Sequence, residues 1–253
     1  MLFDEIKIFM RHGQQFIPDV TKVELAPLFR GRPEISASIT AEEAGVAQQL
    51  CPTGAIGTSP ASINLGKCVF CKECHFLFPE KIRFTNDYKI ATNNPDRLII
   101  KAGDNSPVTL DADLVRKEIK SFFGHALKLR QVSAAGDNAC EMELNACGNV
   151  NFDMGRWGIE FVASPRHADG LVITGPISEN MAQALEICYH STPNPKLLIL
   201  VGTDAISGGI FADSPALNRD FLNKYPIDLY VPGNPAHPLT FINGVLELTR
   251  GKR

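Results

Sequence analysis

Four cysteines near the start of the chain constrain its fold more than any other feature. Cys68, Cys71 and Cys74 follow C-x2-C-x2-C spacing, and Cys51 stands upstream, directly before Pro52. Three thiols at three-residue intervals, with a fourth from a Cys-Pro pair, form the ligand set of one cubane 4Fe-4S cluster. Residues 69–78 are then expected to wrap that cluster. Val69, Phe70, Phe76, Leu77 and Phe78 lie among the thiols, and an apolar shell of this kind excludes water from a redox centre. The plainer reading, buried or disulfide-bonded cysteines, leaves the regular interval unexplained.

In bacterial two-cluster ferredoxins each run reads C-x2-C-x2-C-x3-C-P, and its fourth Cys ligates the other cluster. Counting back from Cys51, the three companions of a first run fall on Ala47, Ala44 and Ala41. Counting forward from Cys74, the fourth position of the second run is Phe78, before Pro79. One ligand set is missing entirely and the other is complete. The segment resembles a two-cluster ferredoxin module that has lost one whole cluster. Cys51-Pro52-Thr53-Gly54-Ala55-Ile56 also resembles the ferredoxin turn after the fourth ligand.

Composition sets the frame. The chain has 253 residues, 44% hydrophobic and 21% charged, as in an ordinary water-soluble fold of one large or two modest domains. A formal net charge of −3 gives no reason to expect a nucleic-acid partner. No stretch approaches the ~18 apolar residues of a membrane span, and the opening Met1-Leu2-Phe3-Asp4-Glu5 lacks a secretory profile. Seven cysteines, four at metal spacing, argue for a reducing compartment. The expected location is cytoplasmic, at the inner face of a membrane through partner subunits.

Four regions are expected: an N-terminal arm over 1–40, a ferredoxin-like 4Fe-4S module over 41–92, a connector with an amphipathic helix over 93–130, and an α/β domain over 131–253. The arm reads as extended, with at most one strand near residues 4–10. Residues 41–50 read as a helix that delivers Cys51, and 81–85 and 97–102 as strands. Leu114, Val115, Ile119, Phe122, Phe123 and Ala126 recur at helical spacing, which predicts a helix over 111–129. Strands are predicted at 131–135, 159–163, 170–175, 196–202 and 227–231, and helices at 178–189, 215–224 and 238–250. Short apolar strands alternating with helices point to a parallel sheet of flavodoxin-like type, whose crevice lies at the carboxyl ends of the strands.

Three parts of this region carry a second resemblance: Gly136-Asp137-Asn138-Ala139-Cys140-Glu141, then Ser164-Pro165-Arg166-His167-Ala168-Asp169, then the loops 202–211 and 230–235. Together they resemble the small subunits of group 4 NiFe-hydrogenases and the 20-kDa, or PSST-type, subunit of respiratory complex I, over about residues 130–250. That resemblance implies a proximal 4Fe-4S cluster on four cysteines: a C-x2-C pair, a Gly-rich loop and a P-G-C-P turn. Here Cys140 matches the second Cys of the pair, while Asp137, Asp204 and Asn234 stand at the other three positions. Oxygen donors replace three soft thiolates, so no proximal cluster is expected in the C-terminal domain. Two readings of this degenerate pocket stand side by side: a relic filled by side chains and hydrogen bonds, or a hard-metal site on Asp137, Asp204 and Asn234. Cys147 reads as a buried structural thiol or a substitute ligand, Cys188 as a core residue, and Arg166, His167 and Trp157 as structural or interface groups.

These readings combine into a non-catalytic electron-transfer or scaffold subunit of a membrane-associated, hydrogenase- or complex I-like oxidoreductase. Its cofactor is one 4Fe-4S cluster on Cys51, Cys68, Cys71 and Cys74. Its partners are a hydrogenase- or complex I-like large subunit and, indirectly, membrane subunits. The rival reading is a non-enzymatic assembly or redox-sensing iron–sulfur protein, and a third is a standalone enzyme with a metal at Asp137 and Asp204.

Overall fold

The computed structural model describes residues 2–13 and 15–251. It opens on a helix, α1 (Leu2–His12), where the sequence reading expects an extended arm. Ile6, Ile8 and Met10 alternate, which suggests a strand. Phe3, Ile6 and Met10, joined by Phe9, recur every three to four residues, and Asp4 and Glu5 sit at the positive end of the helix. The helical period wins. Residues 15–32 then run along the C-terminal half, where Val20 is fully buried and its carbonyl accepts a 2.9 Å bond from Asn243 Nδ2.

The cysteine-bearing part consists of β1 (Pro33–Ile35), α2 (Ala41–Leu50), β2 (Ile56–Thr58), β3 (Ala61–Asn64), α3 (Glu73–Leu77), β4 (Ile82–Phe84) and β5 (Ile99–Lys101). Strands β1 and β4 pair antiparallel, and β2, β3 and β5 form a three-stranded antiparallel sheet. Helix α2 starts where the sequence predicts because Thr40 and Glu43 form a reciprocal capping box. Ile63, Leu65, Ile82 and Leu98 pack into one core beneath these short elements.

Past this lie α4 (Lys117–Phe123), β6 (Leu127–Ser133), α5 (Ala139–Ala146), β7 (Ile159–Phe161), β8 (Gly170–Thr174) and α6 (Glu179–Ser191). They are followed by β9 (Leu197–Val201), α7 (Thr203–Ser207), α8 (Asp220–Lys224), β10 (Leu229–Val231) and α9 (Pro238–Arg250). The five strands pair in parallel in the order β10-β9-β8-β6-β7, the flavodoxin-like α/β architecture expected. Every residue of β8 and β9 is buried, as a parallel sheet covered on both faces requires. Along β8, Leu171 and Ile173 join one core with Leu185 of α6 and Phe221 of α8. Val172, between them, faces the other core, with Leu144 of α5 and Phe241 and Val245 of α9.

Two helix predictions shrink. Of residues 111–129 only α4 is α-helical: Asp111 caps a short 3-10 turn, Gly124 ends α4, and Leu127 and Leu129 belong to β6. The run of apolar residues at 122–129 joins a helix to a strand, because Leu127 and Leu129 are buried with Lys128 exposed between them, a period of two. Of residues 215–224 only α8 is helical. In contrast, α9 matches the predicted bounds, with His237 Nδ1 capping the Leu239 amide and Pro238 in the first turn.

An ion pair with a buried carboxylate ties the connector to the sheet. Arg116 Nε and Nη2 each reach Asp228 at 2.9 Å, and Nη2 also donates to the Lys196 carbonyl. Asp228 is buried and accepts the Leu198 amide as well. Removing the cation would strand a buried carboxylate. Arg116→Ala is therefore expected to cost about 2 kcal/mol, the partly exposed guanidinium keeping the loss below that of a fully buried pair. Adding Asp228→Asn should return part of it. Denaturant melts of the single and double variants measure this, and an unchanged midpoint for Arg116→Ala would refute it.

Candidate metal centre and the pocket beside it

Each of the four N-terminal cysteines is placed by a different local device. Cys51 is the residue at which α2 ends, its backbone extended and its amide bonded to the Gln48 carbonyl. Cys68 leaves β3 through a turn in which its amide and that of Lys67 both bond to the Asn64 carbonyl. Cys71 lies between Phe70 and Lys72, which have φ of 53° and 71°. A bulky residue in the left-handed region is uncommon and marks a backbone shaped for a purpose. Cys74 falls in the first turn of α3. All four side chains line one cavity, closed by Ala55, Ile56, Ile63, Val69 and Phe84.

Backbone amides point at the sulfur atoms. Ala55 N lies 3.3 Å from Cys51 Sγ and Phe70 N lies 3.4 Å from Cys68 Sγ, and the His75 amide donates to Cys74. Cys68 is buried, whereas Cys51, Cys71 and Cys74 are half-buried. Burial, with repulsion from Cys74, Cys51 and Cys71, pushes the Cys68 thiol up to about 12. Burial and the charges of Cys71 and Cys51 push Cys74 up to about 11. Ionising the Cys68 and Cys74 thiols in this burial needs nearby positive charge, which iron would supply. Among the described residues no three His, Cys, Asp or Glu side chains close on a single ion position. Donor softness, apolar walls and amide donors all fit a 4Fe-4S cluster.

The pocket of the second set lies at the carboxyl edge of the parallel sheet. Asp137 and Cys140 follow β6, Asp204 follows β9, and Asn234 follows β10. Cys140 is buried, accepts the Ala236 amide, and is raised to about 12 by burial and by the charges of Glu141, Asp204 and Asp137. The sulfur packs on the backbone of Gly202, where a methyl group would collide with it. Asp204 is 8% exposed, and its Oδ1 is buried with no hydrogen-bond partner among the described residues. Burial, then the charges of Asp137 and Glu141, hold its carboxyl above the usual carboxylate range, opposed by Arg219. Asp137 is exposed and accepts the Ala139 amide in a local turn. Asn234 faces an adjoining cleft lined by Arg30, Phe70 and His237. Cys140, Asp204 and Asp137 thus lie within electrostatic reach of one another, and Asn234 lines the adjoining cleft.

Two residues of this pocket escape the sequence reading. Glu141 is buried and accepts bonds of 2.6 Å from both Ser133 and Thr174 hydroxyls. Its position next to Cys140 is the one signal that could have flagged it. Arg219 donates to the carbonyls of Pro176, Asp204, Ala205 and Ile206, and nothing in its sequence surroundings announces that. Cys147 resolves to a structural thiol, fully buried and bonded to the Glu143 carbonyl at 3.4 Å. Arg166 and His167 are exposed in a 3-10 turn that precedes β8, at the opposite end of that strand from the pocket.

Residues 138–248 match the family described as NADH ubiquinone oxidoreductase, 20 Kd subunit. A probable membrane-bound hydrogenase subunit, mbhJ, of Pyrococcus furiosus is 33% identical over 129 residues, covering 51% of this chain and 77% of that protein. The chain belongs to this family of 20-kDa and hydrogenase small subunits. An NADH-quinone oxidoreductase subunit of Heliobacterium modesticaldum is 40% identical over 116 residues, 46% of this chain and 66% of that protein. One solved structure, of the membrane-bound sulfane sulfur reductase, an archaeal respiratory membrane complex, aligns at 28% identity with a TM-score of 0.44. It covers 49% of this chain and 69% of the matched chain. The family match contains Cys140, Asp204 and Asn234 and begins one residue after Asp137; the four N-terminal cysteines lie outside it. Among the described residues no helix is long and apolar enough to cross a membrane.

A carboxyl raised in the folded state binds its proton more tightly there than in the unfolded chain. Its contribution is full below the ordinary value of 3.8 and is lost as pH rises through the folded value. Asp204→Asn removes that loss and gives Oδ1 no charge to carry. It should stabilise the protein at pH 7 by about 1 kcal/mol, because a neutral amide costs less to bury than a charged carboxylate, and by less near pH 4. Equal effects of the substitution at both pH values in denaturant melts would refute this.

Proposed function

We propose that the chain is a non-catalytic electron-transfer or scaffold subunit of a membrane-associated, hydrogenase- or complex I-like oxidoreductase. In this reading it holds one 4Fe-4S cluster on Cys51, Cys68, Cys71 and Cys74. The observation that carries the reading is the convergence of those four cysteines on one apolar cavity with amides aimed at the thiols. Family membership supports the subunit role, since relatives bear the names of hydrogenase and quinone-oxidoreductase subunits. The cluster, when bound, exchanges single electrons. The chain's residues hold the thiolates, and Ile56, Ile63 and Phe84 keep water from the inner wall.

The degenerate pocket serves in this reading as a packed remnant that carries no electrons. Cys140 against Gly202 and Asp204 against Gly209 fill the space that a cluster would need. Electrons would then enter and leave by the half-exposed edge at Cys51, Cys71 and Cys74. The α/β domain would still dock a large subunit, because docking depends on shape and buried area.

Anaerobic reconstitution should load about four iron and four sulfide per chain, as one cubane requires. Cys71→Ser should abolish the cluster absorbance and Cys140→Ser should leave it unchanged. A yield near eight iron would mean that the C-terminal pocket also holds a cluster. Affinity purification from native membranes in mild detergent should bring down a hydrogenase- or complex I-like large subunit, and a chain that elutes alone would speak against the subunit role.

A further inference from the structure

The two sites share a wall. Thr203, the first residue of α7, is fully buried. Its hydroxyl donates to the Cys68 carbonyl at 2.8 Å and lies 3.2 Å from the Gly233 carbonyl, while its amide bonds to the same Gly233 oxygen at 2.9 Å. The shorter contact takes the single hydroxyl proton. Among the described residues no other hydrogen bond to the Cys68 carbonyl is found. Cys68 is the one buried member of the four-thiol set. The hydroxyl that satisfies it comes from the far side of the junction, 135 residues along the chain.

Helix α7 braces this loop at a second point. Ile206 packs in the cysteine core, and a methyl group at Gly66 would lie 2.8 Å from its Cγ2. The helix itself cannot drift, because Arg219 holds the carbonyls of Asp204, Ala205 and Ile206. Two residues along the same loop, Arg30 Nη1 bonds to the Phe70 carbonyl at 2.9 Å. The loop 68–70 is thus held at two of its carbonyls, and the bond from α7 acts directly on a candidate ligand.

We propose that Thr203 is a positioning residue for the N-terminal cluster, setting the inner ligand Cys68 and the cluster's reduction potential through its hydroxyl. This rests on the reading of a cluster at the four cysteines. The hydroxyl dipole points its positive end at the carbonyl of a ligand residue, so it favours the electron-rich, reduced cluster. Dropping it removes that dipole and leaves a buried carbonyl unpaired. The degenerate pocket thereby keeps a function: its α7 wall tunes the neighbouring site.

The test compares Thr203→Val, which keeps the shape without the hydroxyl, Thr203→Ala, and Thr203→Ser, which restores the hydroxyl. The reconstituted full chain is titrated under dichroism control for folding, with the cluster followed by electron paramagnetic resonance. Val and Ala variants that bind the wild-type amount of iron should show a midpoint shifted to more negative potential, and Ser should return it to the wild-type value. Ala stands in if Val fails to fold. A midpoint unchanged in the folded variants overturns the proposal, as does a Ser variant that shifts as far as Val. A wild-type chain that takes up no iron overturns the cluster reading itself, and this inference with it, and is told apart by the iron assay before any titration.

Discussion

Helix α7 is five residues long, and both halves of the molecule are hung on it. A helix this short leaves buried carbonyls with few partners inside the helix itself. The Arg219 guanidinium answers that need, bonding Asp204, Ala205 and Ile206 and reaching Pro176 after β8 as well. Burial lowers the proton affinity of this arginine, and the nearby Asp204 carboxyl works the other way. With its carbonyls fixed, α7 presents Thr203 to Cys68 and Ile206 to the cysteine core. The position of the inner cysteine therefore depends on an arginine in the other half of the chain.

The same loop holds a buried carboxyl, Asp204, with little to satisfy it. Cubane ligands share charge with iron and need no hydrogen bonds from one another. The backbone around Asp204 turns through left-handed glycines, with φ of 92° at Gly202 and Gly208 and 56° at Gly209. Those turns carry the chain past the carboxyl without offering Oδ1 a donor. Glu141 fares better, because the hydroxyls of Ser133 and Thr174 reach it from two strand ends. The pocket is closed by contact: sulfur on Gly202, carboxyl on Gly209. A second helix start nearby, at His237, shows a related effect of burial, which lowers the imidazole to about 4 and leaves it neutral to cap α9.

Elements with their own punctuation are legible from the residues. Helix α2 has a capping box, α9 has His237-Pro238 at its start, and β8 and β9 are unbroken apolar runs. Segments without punctuation mislead. Residues 122–129 look continuous by hydrophobicity, yet Gly124 divides a helix from a strand. The opening residues fit two periods at once, and the helical one prevails. At the candidate sites the contrast is similar. Cysteine spacing names all four thiols that line the cavity, because ligand intervals are local. Glu141 and Arg219 escape because their partners lie on other strands and loops, at separations that no local pattern records.

By itself the sequence determined the parallel α/β class, the four-cysteine set and the presence of Asp137, Asp204 and Asn234 beside a single Cys140. Each is written in near-neighbour spacing or in the identity of single residues. Only the tertiary structure decided that Asn234 faces the cleft while Asp204 turns its oxygen into the protein. It alone decided that Arg166 and His167 stand at the far end of their strand. It also set a threonine of the sheet's carboxyl edge against the carbonyl of Cys68. Those outcomes depend on which loops the parallel strands bring to one edge, and strand order is fixed by how two hydrophobic faces are covered rather than by any short stretch of chain.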